Sequence, residues 1–153
     1  LYGEFHENSK HTTRMPYMKP VYDVLEKNRG KVIYFDFWAR WCPPCLAEME
    51  PLKQLRSKFS TDDLIIYSIC VSEPKEQWEE CLNEYSLKNR GIECVHVTDY
   101  LGIDNYQKIR KQWKIDRMPY YVLINRKGQI IDFGTAARPS NPQLVSRIEE
   151  AVK

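Results

Sequence analysis

A change of hydrophobic period at residue 42 constrains this chain more than any other feature of its sequence. Residues 31–38 (KVIYFDFW) form a nearly continuous apolar run, which predicts a central strand buried on both faces. After Cys42 the apolar residues recur every three or four positions, which predicts an amphipathic helix; they are Leu46, Met49, Leu52, Leu55 and Phe59. The stretch Cys42-Pro43-Pro44-Cys45 therefore falls where a buried strand passes into a helix, with its two prolines in the first helical turn.

Strand-like and helical segments alternate along the rest of the chain. Strands are predicted over residues 64–71, 93–98, 120–125 and 129–133, and helices over residues 19–27, 74–88, 104–114 and from 142 onward. The last two strands flank Arg126-Lys127-Gly128, a hairpin signature, and Pro51 predicts a kink in the helix that contains it. This order predicts a three-layer α/β fold in which a mixed sheet has a parallel core, a C-terminal β-hairpin and helices on both faces.

Length and composition fit one globular domain. The chain has 153 residues, of which 42% are hydrophobic and 29% charged, and its formal net charge is +2. That small, scattered charge gives no reason to expect nucleic acid or an anionic membrane as a partner, and no apolar run is long enough for a membrane span. Residues 1–16 are polar and are predicted to be an N-terminal arm or the end of a linker, with the domain over 17–153. Because the chain begins at Leu1 and not at Met, we expect a fragment or a mature form.

The cysteine pair predicts redox chemistry. Two cysteines three positions apart at a helix start can join their sulfurs without distorting the backbone, and the helix N-terminus favours a thiolate. We expect Cys42, the more exposed of the two, to attack a substrate disulfide and Cys45 to resolve the mixed disulfide. Pro43 and Pro44 fix the backbone between the sulfurs and remove two N–H donors.

Other roles for the five cysteines are alternatives. A zinc site or a purely structural disulfide would also use a Cys-X-X-Cys pair, but zinc usually needs a second Cys or His pair at matching spacing, and Cys70, Cys81 and Cys94 are isolated. The three histidines have no ligand spacing either, so no metal and no cofactor is expected. Cys70 is predicted to be an inert buried residue, and a disulfide between Cys81 and Cys94 is the alternative to two free thiols.

Asp36 interrupts the first apolar strand six residues before Cys42. One interpretation places it beneath the redox pair, where burial would raise its pKa and let it accept a proton when Cys45 becomes a thiolate. The other interpretation is a carboxylate that points to solvent at a sheet edge.

Two motifs carry a family resemblance. Residues 35–45 (FDFWARWCPPC) closely resemble the active-site signature of thioredoxins, and residues 113–119 (WKIDRMP) resemble the loop of that family that ends in a cis-proline. The resemblance covers roughly residues 19–153 and implies the thioredoxin fold. It also implies that Pro119 lies beside the redox pair and that the backbone at Met118 binds substrate. Trp41, Pro43 and Pro44 are expected to line the substrate surface.

An apparent insertion near residues 73–98 resembles the ResA-like and TlpA-like branch. That branch implies a thiol–disulfide oxidoreductase of the reductase type, in the periplasm or cell envelope, with protein disulfides or dithiols as substrates and an electron donor as a second partner. No membrane contact is expected of this segment itself. Arg117 replaces a glycine common two residues before the cis-proline, and Ser68 or a neighbour takes the place of the lysine that partners the buried aspartate in thioredoxin. The alternative function is a redox-inactive binding module of the same fold within a larger surface or periplasmic protein.

Overall fold

The structure is a computed structural model that describes residues 15–153. The predicted N-terminal arm lies outside the described residues except for Met15 and Pro16; Met15 caps, and Pro16 begins, a 3₁₀ turn at Pro16–Met18. The helices are α1 (Lys19–Lys27), α2 (Pro43–Ala47), α3 (Met49–Lys58), α4 (Lys75–Glu84), α5 (Val97–Tyr100), α6 (Ile103–Gln112) and α7 (Pro142–Ala151). The strands are β1 (Val32–Trp38), β2 (Leu64–Cys70), β3 (Ile92–His96), β4 (Tyr120–Ile124) and β5 (Ile130–Gly134). None of the helices in this described part is long and apolar enough to cross a bilayer.

The five strands form one mixed sheet in the order β3-β2-β1-β4-β5. Strand β1 runs parallel to β2, and β2 runs parallel to β3, whereas β4 is antiparallel to both β1 and β5. All seven residues of β1 are buried, as expected of a central strand. The predicted parallel core with a C-terminal hairpin is confirmed.

Alternate side chains of β1 enter two separate cores. Ile33, Phe35 and Phe37 pack in a cluster with α1 and α6 on one face of the sheet. Val32 and Tyr34 pack on the opposite face with α3 and α7, in a cluster that includes Leu52 and Leu144. Because side chains alternate along a strand, Asp36 and Trp38 lie on the second face, toward the helices that follow the cysteine pair.

The ends of the helices follow local rules. Helix α1 stops before Gly30, which has φ +84° and thus the conformation that glycine adopts most easily. Helix α7 begins at Pro142, and the Asn141 side chain accepts the N–H of Gln143 at 3.0 Å. The kink predicted from Pro51 is present as a break at Glu48, which separates α2 from α3. The proline has no N–H to donate to the carbonyl four residues earlier, so the helical bond pattern is interrupted there.

Candidate active site

Cys42 and Cys45 form a disulfide at the start of α2. Cys42 is the N-cap residue, and its Sγ accepts the N–H of Cys45 at 3.3 Å. Pro43 and Pro44 occupy the first two helical positions and are exposed, so the N–H of Cys45 is the first that the helix can offer to a sulfur. Both cysteines are largely buried, at 4% and 2% exposure, so the expected difference in exposure between them is small.

The loop between β1 and Cys42 places two tryptophans differently. Trp38 is 1% exposed and packs in the cluster that contains both redox cysteines, whereas Trp41 is 68% exposed. The loop is held by two hydrogen bonds: the Cys42 N–H donates to the Ala39 carbonyl at 3.2 Å, and the Arg40 N–H donates to Ser72 Oγ at 2.9 Å. An exposed aromatic side chain thus stands directly beside the disulfide.

Asp36 is buried on the face of β1 covered by α3 and α7, with 4% exposure, and the solvent-facing alternative is wrong. Its neighbours in register are Ser68 on β2 and Tyr121 on β4. Burial raises the pKa of Asp36 to about 7; a 3.4 Å hydrogen bond donated by Ser68 Oγ opposes this rise, and the charge of Glu48 adds to it. Ser68 lies in register with Asp36. It is the residue that was suggested for the place of the lysine that partners the buried aspartate in thioredoxin. A carboxyl group with a pKa near neutrality can both take up and release a proton at neutral pH.

The second motif lies against the first. The peptide bond between Met118 and Pro119 is cis, and Met118 packs against the cluster that contains Cys42 and Cys45. Pro119 is buried, and its carbonyl accepts a hydrogen bond from Thr135 Oγ1 at 2.8 Å. Two motifs far apart in the sequence therefore meet at the carboxyl end of β1.

The other three cysteines lie close to the redox pair and are free thiols. Cys70 and Cys81 belong to the same buried cluster, and Cys94 packs against it, so the disulfide considered for Cys81 and Cys94 is not formed. Burial raises the pKa of all three thiols, to about 12 for Cys94. Within residues 15–153, no group of His, Cys, Asp or Glu side chains is arranged to hold a metal ion.

Sequence reasoning missed the role of Ser72. This residue is 6% exposed, and its Oγ accepts the N–H of Arg40 and lies 3.3 Å from Cys70 Sγ. Its carbonyl lies 2.8 Å from His96 Nε2, while His96 Nδ1 accepts the N–H of Thr98, which leaves the ring proton on Nε2. Ser72 follows the end of β2, next to β1, so the strand order is the signal that locates it.

A disulfide at the start of a helix, a buried carboxyl group on the preceding strand and a cis-proline beside the pair define a class, the thioredoxin-fold proteins with a Cys-X-X-Cys pair. The chain belongs to the Redoxin family, whose model matches residues 19–152.

Individual relatives agree with this assignment. The chain is 26% identical to the thiol-disulfide oxidoreductase ResA of Bacillus anthracis over 108 residues, which are 71% of this chain and 57% of that protein. It thus spans little more than half the length of such curated relatives. The solution structure of a candidate thiol-disulfide oxidoreductase from Bacteroides vulgatus is 32% identical with a TM-score of 0.65, over 82% of this chain and 76% of that one.

A secreted disulfide oxidoreductase of Mycobacterium tuberculosis shares the fold, with a TM-score of 0.62 and 20% identity over 82% of this chain and 85% of that one. The resemblance to ResA-like proteins and the thioredoxin fold are confirmed.

Proposed function

We propose that this protein is a thiol–disulfide oxidoreductase that reduces disulfides of other proteins through Cys42 and Cys45. The observation that carries the proposal is the disulfide between these residues at the start of α2, beside an exposed tryptophan and a cis-proline. A disulfide that only stabilised the fold would not need an exposed aromatic surface beside it.

The proposed reaction begins with the reduced pair. The Cys42 thiolate attacks one sulfur of a substrate disulfide, which forms a mixed disulfide and releases the other substrate sulfur as a thiolate. The Cys45 thiol then loses its proton, and its thiolate attacks Cys42 Sγ. The Cys42–Cys45 disulfide forms, the second substrate thiolate leaves, and two electrons have passed to the substrate. A dithiol donor must reduce the pair again before the next cycle.

Asp36 is the proposed proton acceptor for Cys45. Its pKa of about 7 means that roughly half of the carboxyl groups are ionised at neutral pH, ready to accept a proton. It lies on the face of β1 that the helices after the cysteine pair cover, and Glu48, three residues after Cys45, is close enough to influence its pKa. Proton transfer through a water molecule fits this placement.

The local structure supports electron flow from the Cys42–Cys45 pair to the substrate. A strongly oxidising pair is one whose thiolate form is well stabilised, as at the start of a long helix with several free N–H donors. Here Pro43 and Pro44 provide no N–H, and α2 has only five residues before the break at Glu48. Weak stabilisation of the thiolate favours the disulfide form of the pair and therefore a reductase.

The surface around the disulfide is suited to a protein substrate. Trp41, Pro43 and Pro44 are exposed, and Met118 is partly buried against the cluster that contains Cys42 and Cys45. We propose that these side chains provide the apolar contact and that the backbone at Met118 pairs with the extended segment that carries the substrate sulfur. Pro119 would hold this backbone next to the cysteines.

The resemblance supports a proposal for the location and for the electron donor. We propose an extracytoplasmic site of action, in the periplasm or cell envelope, because ResA-like and TlpA-like proteins are similar to this chain. A membrane-associated or soluble dithiol protein would supply the electrons.

The decisive experiment is the reduction potential of the pair. The protein is equilibrated with dithiothreitol and glutathione buffers, and free thiols are trapped and counted by mass spectrometry. A potential near about −270 mV supports a reductase, and one near about −120 mV would make the protein an oxidant. If no disulfide forms at any potential, the redox function is wrong and a binding module of the same fold replaces it. Cys81→Ala serves as the matched control and should leave the potential unchanged.

A further inference from the structure

Four regularly spaced basic residues precede Met118 and Pro119 in the chain. Lys108, Lys111, Lys114 and Arg117 occur at every third position, and all four are exposed. We call these four residues the basic ridge. Residues 108–117 contain five basic residues and one acidic residue, whereas the whole chain has a net charge of only +2. The near-neutral total therefore hides a strong local excess of positive charge.

The ridge does little for the fold itself. Arg117 has one ion pair, at 3.7 Å to its neighbour Asp116, and both side chains are 71% exposed, so the pair adds little stability. No ion pair within residues 15–153 involves Lys108, Lys111 or Lys114. Arg110 differs, because its Nε donates to the Ile115 carbonyl at 3.0 Å.

Lys114 stands where the backbone favours glycine. Its φ is +54°, and it follows Trp113, the C-cap of α6. The Ile115 N–H donates to the Arg110 carbonyl at 2.9 Å, and the Lys114 N–H donates to the Lys111 carbonyl at 3.3 Å, which is the Schellman pattern of a helix end. Glycine adopts this left-handed conformation without strain, so a lysine here breaks a local rule, as residues at functional sites often do.

The end of the ridge at Arg117 is held close to the site. The Schellman bonds, the bond from Arg110 and a 2.7 Å bond from Tyr120 Oη to the Trp113 carbonyl hold the segment that follows α6. Arg117 directly precedes Met118, which packs against the cluster of the redox cysteines. Exposed Arg40 lies on the loop that leads into Cys42. Positive charges therefore stand on both segments that border the disulfide.

We propose that the basic ridge binds an acidic segment of the redox partner, next to the sulfur that exchanges with Cys42. The inference rests on the proposed function and adds to it the charge of the partner. Charges of opposite sign on two proteins speed their encounter and orient them, and salt weakens this effect because the Debye length is only about 8 Å at physiological ionic strength. A protein partner is favoured over an anionic bilayer because Arg117 adjoins Met118, which packs against the cluster of the redox cysteines, and a bilayer on that surface would cover the disulfide.

The test uses three peptides that contain the same disulfide. They differ only in the four residues that flank it, which are glutamate, lysine or serine. The rate constant for their reduction by the reduced protein is measured at ionic strengths of 20 and 300 mM. We expect the acidic peptide to react about tenfold faster than the serine peptide at low salt, and this advantage to shrink at high salt.

Two triple variants with the same change in net charge complete the test. Lys111→Glu, Lys114→Glu and Arg117→Glu reverse the ridge, while Lys27→Glu, Lys58→Glu and Lys127→Glu change exposed lysines at the opposite end of β1 and its neighbours. The ridge variant should lose or invert the preference for acidic peptides, and the distant variant should keep it. Thermal melts check that both remain folded.

Several outcomes would overturn the inference. Equal rates for all three peptides in the unaltered protein would show that the ridge does not select partners. Equal loss of preference in both variants would assign the effect to net charge alone. Ridge-dependent sedimentation with vesicles that contain phosphatidylserine, without a peptide preference, would assign the ridge to a membrane. Failure to reduce any peptide would instead refute the proposed function.

Discussion

Replacement of Asp36 by asparagine should stabilise the folded protein at alkaline pH but much less at acidic pH. Burial raises the pKa of Asp36 to about 7 in the folded state, whereas in the unfolded chain it returns to its usual value near 3.8. The folded state therefore binds the proton more tightly, and the stability that this contributes is present at low pH and lost as the pH rises through 7. Asparagine has nearly the same shape and carries no ionisable group.

The size of the effect follows from the two pKa values. At pH 5 the folded carboxyl group is protonated, two pH units below its pKa, while the unfolded one is ionised. Each pH unit corresponds to about 1.4 kcal/mol. Between pH 5 and pH 9 the free energy of unfolding of the native protein should therefore fall by about 3 kcal/mol relative to that of Asp36→Asn. Water that enters near the buried carboxylate would make the loss smaller.

Urea unfolding of the oxidised proteins at pH 5, 7 and 9 measures this difference. Exposed Asp62→Asn is the matched control for the change of a carboxyl group to an amide. A constant difference between native protein and Asp36→Asn from pH 5 to pH 9 would refute a raised pKa. The same variant should also slow the step in which Cys45 attacks the mixed disulfide and releases the second substrate thiol.

Three further changes should have smaller, separable effects. Trp41→Ala should raise KM for a peptide disulfide about fivefold without lowering the melting temperature, because 68% of the side chain is exposed; an unchanged KM would exclude it from substrate binding. Ser72→Ala leaves the Arg40 N–H without its acceptor and should lower the free energy of unfolding by about 1 kcal/mol and change the alkylation rate of reduced Cys42, whereas Ser72→Thr should preserve both. Asn141→Ala removes the cap of α7 and should cost about 1 kcal/mol in urea unfolding, and equal stability would show that the bond to the Gln143 N–H contributes nothing.

Most of the fold was predictable because its elements are long or have clear ends. The bounds predicted for α1 match the structure, since one face of the helix is apolar and Gly30 follows it. The helix predicted over residues 74–88 ends earlier, at Glu84, because the chain reverses through Ser86, which has φ +53°. The strand predicted to reach Thr98 ends at His96, whose side chain accepts the Thr98 N–H and starts α5. A pattern of apolar residues cannot reveal a buried histidine that caps a helix.

Some features of the site were likewise predictable from the sequence, and others were not. The cysteine pair has a local signature and was predicted from the sequence, whereas the sequence left Asp36 with two interpretations, of which the structure shows the buried one. Ser72 and the basic ridge depend on which loops meet at the end of β1 and on which side chains remain exposed. A count of charges over the whole chain averages the ridge away, and the structure adds that all four of its side chains are exposed.

The burial of the three free cysteines has a consequence for the selectivity of the redox chemistry. All five cysteine sulfurs lie in or against one cluster. A thiolate of Cys70, Cys81 or Cys94 could therefore attack the Cys42–Cys45 disulfide. A pKa of about 12 leaves Cys94 with about one thousandth of the thiolate that an ordinary cysteine has at neutral pH, and burial raises the pKa of Cys70 and Cys81 as well. The apolar surroundings therefore keep Cys70, Cys81 and Cys94 as thiols that react slowly with the Cys42–Cys45 disulfide. Thiol–disulfide exchange at this pair is thus reserved for thiols and disulfides of other molecules.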